Sequence, residues 1–440
     1  MSSLIHAFTG AAALALPLLA APRAPAAPAA GNRLAVRAGT IHTVAGETVR
    51  GGGVVLIRDG KIVAVGADVA VPADARRIDA RGKWVTPGFI NSATTLGLSE
   101  AGSPQFSGGY NDVSARGEHG IAAAFEAWKG LNPASTYLAP ARLEGVTSVV
   151  VAPDGAMVAG TAGLIDLVEA TTVEAMMRKA PVVMVGDFAN PANGETGARA
   201  EYWAKWRRLF DDVKAYQARR PAYESGNTRP LAATRADLEA LIPVVSGQIP
   251  LALQADRSSD ILAALAFARD YRLKLWITGA SEAWMVAAEL AAARVPVFTG
   301  AMDNIPLSFD ALGQRQENAA LLRAAGVTLV LVGNGPGDPG SFNVRNIRQE
   351  AGNAVAYGLS WDDALRAITL TPAEVMGVAG QVGSLAAGRD ANVVVWSGDP
   401  FEFSSVAEQV FVRGRTFTDL SRQQQLIERY LTLPPAYIRP

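Results

Sequence analysis

The chain has 440 residues, with 40 Lys+Arg against 41 Asp+Glu and a formal net charge of −1, so it offers no broad field to attract nucleic acid or an anionic membrane. At 49% hydrophobic and 18% charged residues it is a globular chain, long enough for two or three folding units or one large barrel with an attachment. It has no Cys and only three His, His6, His42 and His119. Disulfides, thiolate metal sites and cysteine nucleophiles are excluded, and every metal or general-base argument must work with three imidazoles.

Residues 1–30 read as a secretory signal peptide and Ala/Pro leader. An apolar Ala/Leu run from Ala11 to Ala21 is followed by Ala24-Pro-Ala26 and Ala27-Pro-Ala29; it is shorter than the ~20 residues of a spanning helix and is followed by small residues suited to cleavage. The n-region carries no Lys or Arg, so a disordered Ala/Pro leader is the alternative. The expectation is a periplasmic or secreted protein with no membrane insertion, from which His6 departs with the leader. Residues 33–85 then alternate with period two between Asp-Gly-type turns, as in Gly53-Val-Val-Leu-Ile-Arg-Asp-Gly60, and the same texture returns in Asn392-Val-Val-Val-Trp396 and Gln409-Val-Phe-Val412. These two ends, 33–85 and 386–420, predict one composite β-sandwich. Residues 421–440 read as a surface helix and tail.

Between them, over 86–385, short β-branched runs alternate with amphipathic stretches, the signature of βα units around a parallel sheet. Candidate strands are Gly88–Thr95, Val146–Ala152, Leu164–Val168, Pro181–Asp187, Pro250–Ala255, Lys274–Thr278, Val295–Thr299 and Val327–Gly333. Eight strands predict an α/β fold built on a (β/α)8 TIM-like barrel. Insertions fall near 99–140 and 190–237.

Several phrases resemble a known family: Ile57-Arg-Asp-Gly-Lys-Ile-Val-Ala-Val-Gly66, Val85-Thr-Pro-Gly-Phe-Ile90, Trp361-Asp-Asp-Ala-Leu-Arg-Ala-Ile-Thr-Leu-Thr-Pro-Ala-Glu-Val-Met-Gly377 and Gly383-Ser-Leu-Ala-Ala-Gly-Arg-Asp-Ala-Asn392. They are similar to the metal-dependent amidohydrolase superfamily, in particular its imidazolonepropionase-like branch. The resemblance implies a barrel with a metal site at the C-terminal ends of its strands, where a metal-bound hydroxide attacks a carbon–nitrogen bond. It also implies His-x-His after the Thr-Pro-Gly turn, where this chain has Ala93 and Thr95. It implies His at the ends of the fifth and sixth strands, where Gln254 and Thr278 stand, and a carboxylate after the eighth, where Asn334 or Gly335 stands. On the fourth strand Asp187 is the one plausible oxygen ligand. The family's binuclear centre uses four His and the mature chain would keep two, so no cofactor is expected and the zinc-type binuclear site is not supported.

Of the remaining chemistry-bearing residues, His119 lies in the first insertion and reads as a solvated loop residue. Asp154, Asp187, Asp256, Glu282, Asp303 and Asp338 fall near strand ends, where an acid–base pair or one hard-cation site on Asp187 and Asp256 is an alternative. Gly333-Asn-Gly-Pro-Gly-Asp-Pro-Gly340 is Gly-rich enough to cradle an anion, but Pro336 and Pro339 remove two donors, which favours a simple turn. Asn343, Arg345, Asn346 and Gln349 form a dense polar cluster after it. The pocket candidates are therefore Asn91, Thr95, Asp187, Gln254, Asp256, Thr278, Asn334, Asn343, Arg345 and Asn346. The expectation is a catalytically degenerate amidohydrolase relative that binds a small polar molecule. The alternatives are an active hydrolase with an altered mononuclear or metal-free carboxylate site and a non-catalytic subunit of a heteromer with an active paralogue; a homo-oligomer is the other assembly expected.

Overall fold

The computed structural model describes residues 33–100, 110–115, 117–302, 306, 308–333, 340–341, 343–417 and 422–431. The leader and the extreme C-terminal tail lie outside the described residues. Among those described, no helix is long and apolar enough to cross a membrane.

Alternation near both termini builds one composite sheet. Seven strands pair in the spatial order Arg415–Phe417, Ala407–Val412, Val393–Trp396, Arg76–Pro87, Arg33–Ile41, Val49–Arg58 and Lys61–Gly66. The long strand Arg76–Pro87 joins the two halves: it runs parallel to Arg33–Ile41 and pairs antiparallel with Val393–Trp396. Inward side chains of both halves, among them Val36, Ile57, Ile78, Val393 and Phe411, share one core.

The barrel is an eight-stranded sheet with seven strands in one direction and one against them. In chain order its strands are Phe89–Thr94, Val146–Val151, Val158–Asp166, Met177–Asp187, Leu251–Ala255, Leu275–Gly279, Val297–Thr299 and Leu329–Leu331. The third strand pairs antiparallel with both the second and the fourth. Two expectations change here: the strand begins at Val158, not Leu164, and no βα unit precedes it. The short Ala152–Met157 connection contains Pro153-Asp154-Gly155, which is turn chemistry, whereas a parallel crossover needs roughly a dozen residues or more. The strand escaped the sequence reading because Val158-Ala-Gly-Thr-Ala-Gly163 is too rich in Gly and Ala to look β-forming.

That reversal sets the two ends of the barrel apart. It lifts Asp154 to the mouth, where the parallel strands end, and drops Asp166 to the opposite end. There Asp166 is fully buried and accepts from Ser148 Oγ at 2.7 Å, Arg178 Nε at 3.0 Å and Arg413 Nε at 2.6 Å. Arg178 also pairs with Asp390 at 2.8 Å, and Asp390 with Lys61 at 2.5 Å. This chain of alternating charges ties the barrel floor to the composite sheet.

Strands one and eight do not form a ladder; side-chain and loop contacts close the seam. Asn91, fully buried, donates from Nδ2 to the Val344 carbonyl at 3.2 Å and accepts from the Gly333 N–H at 3.4 Å. The Thr95 N–H donates to the Gly340 carbonyl at 2.8 Å.

Candidate functional site

Side chains at i and i+2 share a strand face, so each barrel strand sends alternate residues inward. Their lower layers, including Ile90, Val150, Leu164, Val183, Ala252, Trp276, Phe298 and Val330, form an apolar plug. Trp276 stacks on Phe298 with ring centroids 5.0 Å apart and planes at 24°. Above the plug the strands open into a cavity of ≈ 640 Å³ at the mouth, a size ordinary for small-molecule sites.

The polar lining comes from strand ends and the loops beyond them: Ser92, Thr95, Asp154, Asp187, Gln254, Asp256, Thr278 and Ser281, with Gln314 from a later loop. Of the sequence candidates, the fold brings Thr95, Asp187, Gln254, Asp256 and Thr278 together around this space. Asn334 lies outside the described residues. The other four candidates do not line the cavity. Asn91 points into the seam and is held there by backbone partners. Asn343, Arg345 and Asn346 belong to the 3-10 turn Asn343–Asn346, which buries Val344 and packs against the short helix Leu138–Leu143. The last crossover turns away from the mouth at that point, and Arg345 is exposed.

Asp187 is buried and held by neutral donors. Its Oδ1 accepts from the N–H groups of Ala189 at 2.7 Å and Asn190 at 2.8 Å, and its Oδ2 from Asn193 Nδ2 at 2.6 Å. Burial pushes its carboxyl above the ordinary range; the three donors oppose the shift, and the charge of Asp154 adds to it. Asp256 is half-buried and accepts from Ser281 Oγ at 2.7 Å and Ser281 N–H at 3.2 Å. Burial raises its carboxyl as well, with a further push from Asp310. Its seat depends on Gly279, whose φ of +76° disfavours side chains and where a Cβ would stand 2.7 Å from Asp256 Oδ1.

The second insertion positions Asp187. Helix Arg199–Ala218 buries Tyr202, Trp206, Leu209, Phe210, Val213 and Tyr216 at helical spacing. Tyr202 Oη and Trp206 Nε1 both donate to the Asp187 carbonyl, at 2.6 and 3.1 Å. The i, i+4 pair Tyr202/Trp206 is the signal the sequence offers for this contact. Ser92, Ser281 and Gln314 carried no distinguishing pattern, since single hydroxyls and amides occur throughout the chain.

Neither described imidazole reaches the cavity. His119 is exposed in its loop, with Nδ1 3.1 Å from Glu195 Oε2. His42 is buried where the composite sheet meets the barrel, between Trp84 and Trp361, with centroid distances of 4.9 and 4.4 Å. Burial holds its pKa below the ordinary imidazole value, opposed by the nearby charge of Asp362.

Comparisons with known proteins agree with this geometry. Residues 263–418 match the model of the Amidohydrolase family. The imidazolonepropionase of Acidiphilium cryptum is 29% identical over 385 residues, covering 80% of this chain and 88% of its own. That of Symbiobacterium thermophilum is 27% identical over 427 residues, covering 88% and 97%. The crystal structure of an amidohydrolase from Thermotoga maritima superposes with a TM-score of 0.78 at 27% identity, over 88% of this chain and all of that one. By fold and sequence the chain is similar to amidohydrolases. An amidohydrolase-type barrel keeps its site at the mouth, on loops that follow the strands, and the cavity around Asp187 and Asp256 occupies that place.

Proposed function

We propose that this amidohydrolase homologue is catalytically degenerate and binds a small polar molecule in the barrel-mouth cavity. We propose further, from the reading of residues 1–30, that it does so in the periplasm or outside the cell. The observation that carries the reading is the donor set. Ala93, Thr95, Gln254 and Thr278 stand where the family resemblance implies imidazoles, and no described His, Lys or Arg lines the cavity. Methyl, hydroxyl and amide groups are poor donors for the borderline ions such sites hold. Among the described residues, no three His, Asp or Glu side chains come together around one point. The residues present do not fit the binuclear centre implied by the family, and no step is routed through one.

One observation favours a second reading. Asp187 and Asp256 face one cavity and both have carboxyls raised by burial, which is how a general acid is poised. An altered, metal-free hydrolase would use such a pair.

The deciding experiment is metal content. Untagged protein is dialysed against zinc, manganese or calcium, then against metal-free buffer, and analysed by inductively coupled plasma mass spectrometry, with hydrolysis of dipeptide and cyclic-amide substrates followed in parallel. The expected result is well under one retained ion per chain and no turnover. Near-stoichiometric metal would overturn the degenerate reading. Turnover without metal that is lost in both Asp187→Asn and Asp256→Asn would establish the second.

A further inference from the structure

Three fully buried carboxylates among the described residues carry arginine. Asp166 has Arg178 and Arg413, Asp212 has Arg229, and Asp260 has Arg199 and Arg257 at 3.0 and 2.7 Å. Such pairing is the usual answer to burying charge. Exposed Asp154, buried Asp187 and half-buried Asp256 carry no described arginine. They share one cavity, and no described Lys, Arg or His forms an ion pair with any of them or lines the space between them. Their partners are neutral: the Gly155 N–H on Asp154 at 2.6 Å, backbone and amide groups on Asp187, and Ser281 on Asp256.

A second observation lies across the cavity. Ser92 is 8% exposed, and its Oγ is buried without a hydrogen-bond partner. It shares the inward strand face of Ile90 and lines the same space. Leaving a buried hydroxyl without a partner is unfavourable, so a polar group supplied from the cavity would relieve it. Below the carboxylates the walls are apolar: Val150, Val183, Val185, Ala252, Trp276, Phe298 and Val332.

Resting on the reading of this cavity as a binding site, we infer that its ligand is a small organic cation. An amine or amidine head would lie among Asp154, Asp187 and Asp256, and an aromatic or branched aliphatic body would rest on the Trp276–Phe298 floor. The ammonium donors match acceptors that no described cation occupies, and these carboxylates repel carboxylates and phosphates. This distinguishes the site from one built for acidic substrates, which would place Arg or Lys here.

The test uses three matched sets of probes sharing one body each: benzylamine, phenethylamine and tryptamine against their alcohol and carboxylate counterparts. Binding is read at pH 7 by calorimetry and by thermal shift of the full mature chain. The expected result is that at least one amine binds tenfold or more tighter than its matched alcohol, with its carboxylate weaker still. Asp256→Asn, which keeps an acceptor for Ser281, should lower that amine's affinity about tenfold. Asp154→Asn, at an exposed position, should lower it several-fold and serves if the first variant fails to fold. An alcohol or carboxylate that equals the amines would overturn the inference, as would a preference that survives both substitutions or a panel in which no amine binds. Binding of the neutral or acidic probes alone would leave the binding reading standing, whereas retained metal or turnover would overturn that reading whatever the probes show.

Discussion

Replacing Asp166 by Asn tests whether the reversed third strand anchors the two parts of the molecule. Asp166 has no exposed side-chain surface and Arg178 only 4%. One carboxylate accepts from Ser148, Arg178 and Arg413, which come from the second strand, the fourth strand and the hairpin closing the composite sheet. Asn keeps the shape and one acceptor but removes the charge. Arg178 retains Asp390, which Lys61 already shares, and the Arg413 guanidinium loses its only ion-pair partner among the described residues. Breaking one side of a buried pair typically costs 3–5 kcal/mol, because a buried charge is left uncompensated. The expected loss is therefore about 3–5 kcal/mol, which at about 3 kcal/mol per molar urea lowers the unfolding midpoint by roughly 1–1.7 M. Far-UV circular dichroism reports the backbone of both parts, and fluorescence from the eight tryptophans, which are spread over barrel and composite sheet, reports side-chain packing. Both signals should shift together, since the cluster joins both parts. A loss below about 1 kcal/mol, or a shift of one signal alone, would refute the anchoring role.

Three further outcomes follow from particular residues. Trp206→Ala should lower stability by about 3–5 kcal/mol, because Trp206 is fully buried and packs against Phe188, Phe210 and Phe267; urea titration reads it, and a loss under 1 kcal/mol would show that the second insertion does not pack as described. His42 has a folded pKa below its ordinary value, so its contribution is intact above about pH 6.5 and is lost as pH falls through that value toward the folded pKa. His42→Phe should flatten the decline in melting temperature between pH 7 and 5, and an unchanged slope would remove His42 as its source. Mass spectrometry of protein recovered from outside the cytoplasm should show a chain shortened by about 21–30 residues; an intact Met1 there would refute the reading of residues 1–30 as a cleaved leader.

The architecture was legible where local pattern and tertiary role coincide. The short apolar runs at 54–57 and Val393–Trp396 are strands of the composite sheet, and the apolar runs at Leu251–Ala255 and Leu275–Gly279 are parallel barrel strands. It was illegible where backbone geometry decided the structure without a side-chain signal. Val158–Asp166 is fully buried along its length, yet it is built of small residues because neighbouring segments press against it. A Cβ at Gly160 would stand 2.4 Å from the Phe125 carbonyl oxygen. At the mouth, strand order alone located Asp187, Gln254, Asp256 and Thr278, because parallel strands deliver their last residues to one end. The polar run Asn343–Asn346 misled for the opposite reason: polarity in a turn satisfies backbone and solvent as readily as a ligand.

A cavity with no described imidazole is compatible with a fully packed barrel because the structural and chemical layers are separate. The plug from Ile90 through Phe298 and Val330 lies below the cavity, and Asp166 with its arginines lies at the opposite end, so neither depends on the groups at the mouth. Clusters of ligands held ready for a metal are polar, crowded and destabilising until filled, and replacing them with Ala, Thr or Gln relieves that cost. The same relief does not explain Asp154, Asp187 and Asp256. They keep negative charge in a partly desolvated space, where Asp187 and Asp256 are each pushed toward protonation, and neutral residues would be more stable there. A mouth that had merely decayed would have no reason to keep these three on one cavity with an unpartnered Ser92. Their persistence beside neutralised strand ends is what argues for a ligand that still brings positive charge to the cavity.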